Sequence, residues 1–86
     1  MAKKYSVSQN AIDIVAHLNN ALFEAEQDLE QAQRQTSAAR WYLAAEPTAD
    51  NVQDLRSAWQ RMRVLEEKVR NTKRSLEKAL SEIYTL

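Results

Sequence analysis

The chain has 86 residues, enough for one domain at most. It holds no glycine and a single proline, Pro47, which argues against a loop-rich or β-rich fold, since such folds need turn glycines. Twelve basic and twelve acidic residues cancel, so no global attraction to nucleic acid or to an anionic membrane is expected, and the absence of cysteine excludes disulfide and thiolate chemistry.

Residues 1–7 read as a short basic arm carrying Lys3 and Lys4. No apolar run follows them, so a secretory signal is not expected. No stretch approaches the roughly 20 apolar residues that span a bilayer. The expected compartment is the cytoplasm, with no membrane partner.

The first helix is expected over about 8–45. Ser8 is placed to cap it, with Val7 and Ile12 as a hydrophobic staple across the cap. Its apolar positions keep a heptad rhythm of alternating four and three: Ala11, Val15, Leu18, Leu22, Ala25, Leu29, Ala32, Thr36, Ala39 and Leu43. The break falls at 46–48, where Pro47 costs a helix about 3 kcal/mol and pushes the residue before it out of helical geometry. Thr48, or Asp50 with Gln53 three residues on, caps the second helix over about 49–85. That helix repeats the rhythm with Leu55, Ala58, Met62, Leu65, Val69, Thr72, Leu76, Ala79 and Ile83.

The two seams mirror each other about Pro47. Positions whose numbers sum to 94 pair every seam residue of the second helix with one of the first, most often a large side chain with a small one. Leu29 meets Leu65, Ala32 meets Met62 and Thr36 meets Ala58. The expected fold is therefore all-α: two long antiparallel helices forming a coiled-coil hairpin about 55 Å long. Between the helices, Asp28 is expected to meet Lys68, and Glu26 to meet Lys73. Glu66 and Arg70 stand at i, i+4 spacing within the second helix.

A two-helix rod has a seam but no enclosed core, so apolar residues off the seam are informative. Near the tip stand Trp41, Tyr42, Val52 and Trp59, with Arg40 and Arg56 placed to rim them or to stack on a ring. Near the open end stand Ile12, Ile14, Leu80, Tyr84 and Leu86, with Val7 and Tyr5 close in sequence. Two readings apply to the indoles of Trp41 and Trp59. Either they fold across the turn, or the patches bind: a partner helix, or a second hairpin completing a four-helix bundle.

Chemistry finds no foothold. His17 is the only histidine and its heptad position faces outward, with no metal-ligand spacing around it. Glu24, Glu26, Asp28 and Glu30 alternate and so fan around the helix. No nucleophile–base set and no glycine-rich phosphate loop is present. Catalysis, a metal and a cofactor are not expected. Arg56, Arg63 and Arg70 recur every seven residues and Arg74 and Lys78 extend them, but Glu66, Glu67 and Glu77 interrupt the stripe. A solvated, salt-bridged face is the expected reading, ahead of nucleic-acid contact.

The run Leu43-Ala44-Ala45-Glu46-Pro47-Thr48, followed by Leu55, Trp59 and Gln60, resembles the helix–turn–helix needle subunits of type III secretion systems over about 20 residues. The second proline of their turn is missing here, and Asp50 stands nearby. The resemblance implies a helical hairpin that assembles into a filament. Small phage-encoded inhibitors of host proteins share such hairpins. The expected function is a non-enzymatic protein–protein interaction module, an adaptor, chaperone or inhibitor, itself a homo-oligomer with a dimer favoured. A needle-like assembly subunit is the alternative, followed by a phage-type inhibitor or a nucleic-acid-associated accessory protein.

Overall fold

A computed structural model describes residues 7–83 of the chain. Helix α1 spans Gln9–Ala45 and helix α2 spans Ala49–Ile83. They pack against each other as an antiparallel hairpin with extents of 67 × 19 × 19 Å. No strand occurs among the described residues.

The helix ends follow from local chemistry. Ser8 lies outside the helix in extended geometry, and its Oγ accepts from the Ala11 N–H at 3.1 Å, satisfying one of the free donors of the first turn. Val7 and Ile12 line one groove, as a staple requires. At the far end, Glu46 takes φ −136° and ψ 96°, the extended geometry that a following proline imposes. Its N–H still donates to the Tyr42 carbonyl at 2.8 Å, which closes the last turn of α1.

Of the two caps considered for α2, the structure uses Thr48. Its Oγ1 accepts from the Asn51 N–H at 3.1 Å, and its carbonyl accepts from the Val52 N–H at 3.0 Å. Asp50 lies inside the first turn, where a negative charge favours the helix dipole. The Gln53 side chain donates to the Ser57 hydroxyl at 3.5 Å and takes no part in a capping box.

Every seam residue named from the sequence is buried or half-buried, whereas almost all others are exposed. The seam is most fully closed to solvent where its residues are small. Ala25 and Ala32 are each 1 % exposed and Thr36 is 4 % exposed. Thr36 adds a polar link here: its Oγ1 donates to the Ala32 carbonyl at 2.9 Å and reaches the Ala58 carbonyl of α2 at 3.3 Å. Thr36 thus stands opposite Ala58, the pair that the sum of 94 selects.

Leu43 had no mate in the sequence pairing. Its complement is Asn51, which is half-buried and continues the seam of α2 by one step. The Asn51 amide donates to the Glu46 carbonyl at 2.8 Å and lies 3.4 Å from the Tyr42 carbonyl. It therefore clasps the carbonyl end of α1 from the first turn of α2. Asn51→Ala is expected to lower stability by about 1 kcal/mol, the net value of such a bond. Urea melts check this, with Asn71→Ala as an exposed control. Equal midpoints for the two would show that the clasp contributes nothing.

The flanking charges behave differently from expectation. Neither Asp28 with Lys68 nor Glu26 with Lys73 forms an ion pair, and Glu66 does not pair with Arg70. Among the described residues the one ion pair joins Arg34 to Glu30 within α1. Exposed long side chains gain about 0–1 kcal/mol from pairing, too little to overcome their freedom in water.

Candidate functional site

The structure divides the expected tip patch between two flanks of the seam. On α2, Asp54 and Trp59 lie about 140° apart around the helix, one on each flank. Tyr42 lines a groove with Ala38, Ala39, Asn51, Asp54 and Ala58. Trp59 lines a different groove with Val52, Leu55, Arg56, Gln60 and Arg63. Trp41 joins the Tyr42 side: the two rings stand edge to face, with centroids 5.2 Å apart and planes at 83°. Such a contact orders both rings without hiding either.

Neither indole closes the turn. Trp41 is 66 % exposed and Trp59 45 % exposed, and the polar groups of the turn are held by Thr48 and Asn51. Arg56 and Arg63 rim the Trp59 groove, while Arg40 is exposed. No arginine stacks on a ring among the described residues, where the Trp41–Tyr42 pair is the only ring contact.

The open end is divided the same way. Ile12 and Leu80 share a groove with Val7, Val15, Leu76 and Ile83. Ile14 lines a separate groove with Val7, Ala11, Ala79 and Glu82. Tyr84, Leu86 and Tyr5 lie outside the described residues.

A simple rule sorts these side chains. Ile12, Val52, Trp59 and Leu80 each follow directly on a seam residue: Ala11, Asn51, Ala58 and Ala79. They stand on one flank of the hairpin, called here the Trp59 flank. Ile14 and Tyr42 each directly precede a seam residue, Val15 and Leu43, and stand on the opposite, Tyr42 flank. Phe23 and Val64, both exposed, lie farther round the outside of the rod. Between its apolar ends the Trp59 flank is polar, with Asn19, Glu26, Gln33, Glu66 and Lys73. Of these, Glu66 is half-buried.

His17 is exposed, and no three His, Cys, Asp or Glu side chains come together among the described residues in a way that would hold a metal. No helix of the described residues is long and apolar enough to cross a membrane. The residue that sequence reasoning missed is Asn51. Its signal was available, because Leu43 lacked a mate and Asn51 completes its sum. Comparison of the chain with protein-family models, curated proteins and solved structures finds no match.

Proposed function

We propose that this chain is a cytoplasmic protein-binding module, an adaptor, chaperone or inhibitor, that acts through the flanks of an antiparallel coiled-coil hairpin and performs no chemistry. One observation carries the reading. Nine large apolar side chains stand exposed among the described residues, while no large side chain is fully buried. A rod with so little interior gains most from burying those groups against another protein. Trp41, Tyr42, Val52 and Trp59, with Arg40 and Arg56 near them, form the first proposed contact set. Ile12, Ile14 and Leu80 form the second.

The experiment is capture of a partner from cells that produce the chain, repeated with Trp59→Ala and Trp41→Ala at unchanged helicity. A partner lost from either variant supports the module. A partner retained by both, and by Leu80→Ala, counts against it.

The presence of apolar groups on both flanks favours a second reading, the assembly subunit to which the turn resemblance points. A filament needs two different contact surfaces per subunit, and its contacts do not close. Light scattering against concentration separates the readings: a closed complex keeps a fixed mass, whereas a filament grows.

A further inference from the structure

We propose that a second copy of this chain docks on the Trp59 flank with both tips at the same end, so that α1 of each copy lies along α2 of the other in a closed four-helix bundle. This inference rests on the protein-binding reading above and names the partner and the face. Three observations carry it.

The first is area. The chain exposes 7002 Å², whereas a compact monomer of 9.9 kDa exposes about 5,200 Å². The excess of about 1,800 Å² is ample for an interface that removes about 800 Å² from each partner.

The second is the distribution of apolar groups. Ile12 and Leu80 occupy one end of the flank and Val52 and Trp59 the other. Phe23 stands four residues after Asn19, which lines the Ile12 groove, and so borders the same side of α1. With the tips together, equal levels meet. Ile12 then packs on Leu80 of the second copy, and Trp59 of each copy shares the tip cluster with Val52.

The third is charge. Among the residues that directly follow a seam residue, and so stand on this flank, α1 carries Glu26, Glu30 and Arg40, net −1, and α2 carries Arg56, Arg63, Arg70, Lys73, Glu66 and Glu77, net +2. A two-fold axis along the rod sets α1 against α2 of the second copy, opposite signs facing, with Glu30 level with Arg63. A two-fold axis across the rod sets α1 against α1 and α2 against α2, like signs facing. Like charges across an interface suppress that arrangement. Glu26 and Glu66 lie near the middle and meet their copies in either orientation. With the tips together, Glu26 faces α2 of the second copy, where Arg70 and Lys73 stand one to two turns from Glu66 and offset this; with the tips at opposite ends it faces α1, which carries no cation at that level of the flank.

Sedimentation equilibrium of the full chain should give twice its 9.9 kDa mass. Leu80→Glu and Trp59→Glu should each raise the dissociation constant by about 30-fold or more. Gln35→Glu, an exposed position that directly precedes the seam residue Thr36 and so lies on the other flank, should leave it unchanged. Because the chain has no cysteine, Ala45→Cys, exposed at the end of α1 and off the Trp59 flank, carries a single spin label at the tip of an otherwise native hairpin. Its distance to the label on the second copy should be below about 30 Å, the width of four packed helices. Tips at opposite ends would give about 50 Å, from the helical rise. That longer distance overturns the proposal. So does a mass that stays monomeric at every concentration, a mass that grows without limit, or a dimer indifferent to Leu80→Glu and Trp59→Glu. The label distance does not depend on those variants folding. A monomeric chain that still captures a different protein through Trp59 removes the dimer alone and leaves the module standing.

Discussion

Leu65→Ala is expected to lower the stability of the hairpin by about 2 kcal/mol, and Leu29→Ala by a similar amount. These two residues complement each other in the mirrored register and form its central pair of leucines. Truncating a leucine in a closed core costs about 2–5 kcal/mol, the upper part of that range reflecting an empty cavity. Both leucines here are half-buried, so water and neighbouring side chains reach the vacated space. The lower end of the range therefore applies. Glu67 is exposed and has no ion-pair or side-chain hydrogen-bond partner among the described residues, so Glu67→Ala should fall within about 0.5 kcal/mol of the parent. Urea melts of the three variants at one protein concentration provide the comparison. A common midpoint would mean that the leucines are not a packed layer. The double variant Leu29→Ala, Leu65→Ala should cost less than the sum of the singles, because residues in contact couple.

Trp59→Ala is expected to weaken capture of a partner by about 30-fold or more while changing the free chain little. Tryptophan supplies a large apolar face and an N–H at low conformational cost, and truncation at such positions often removes about 2 kcal/mol or more. In the free hairpin Trp59 is 45 % exposed and the rest of it lies against the groove of Val52 and Leu55, so its removal costs the hairpin about 1 kcal/mol of packing, less than the loss expected in binding. Trp41 is more exposed and touches Tyr42, so Trp41→Ala releases an edge-to-face contact worth about 0.5–1.5 kcal/mol at most. Because Trp41 lies on the outer face of α1 against Tyr42 whereas Trp59 stands on the opposite flank from Tyr42, the effects of the two indoles on a partner should separate. A partner seated on the Trp59 flank loses affinity with Trp59→Ala and keeps it with Trp41→Ala. Titration of each variant against the captured protein, with thermal melts alongside, makes the measurement. Equal losses from both substitutions would mean a partner wrapped around the tip. A large drop in melting temperature for Trp59→Ala without loss of binding would make the indole structural.

Much of this architecture was legible in the chain because a hairpin of long helices is written in local signals. Ser8 and Thr48 announce helix starts, Pro47 marks the reversal, and the four-three spacing names the residues that face the partner helix. Burial then follows from period alone, which is why seam positions such as Ala25, Ala32 and Thr36 coincide with the least exposed side chains. Charge was a poorer guide. Asp28 and Lys68 were paired on proximity, but exposed ions stay solvated where pairing returns so little. The tip patch reads as one surface in the sequence because Trp41, Tyr42, Val52 and Trp59 are close in level along the rod. Angular position places Tyr42 on one flank, Val52 and Trp59 on the other, and Trp41 on the outer face of α1. Asn51 was passed over because a polar residue does not look like seam. Its role depends on carbonyls at the end of the other helix, a tertiary relation that no single-helix pattern contains.

The Asn51 clasp also bears on how the chain reaches this shape. Seam pairs grow steadily more distant in sequence, from 8 residues between Leu43 and Asn51 to 72 between Ala11 and Ile83. Closing the longest of these loops first costs about 2 kcal/mol more than closing the shortest. The hairpin is therefore expected to zip from the turn outward, with the clasp and the Thr48 cap in the nucleus and the open end docking last. Asn51→Ala should then slow refolding, whereas Val15→Ala should mainly speed unfolding. Stopped-flow measurement of both arms of the kinetics tests the order, and the opposite pattern would place the nucleus at the open end. On this account what the Asn51 amide contributes to stability is already present when the barrier is crossed, so the loss of about 1 kcal/mol in Asn51→Ala falls on the refolding rate, about 5-fold, and leaves unfolding nearly unchanged.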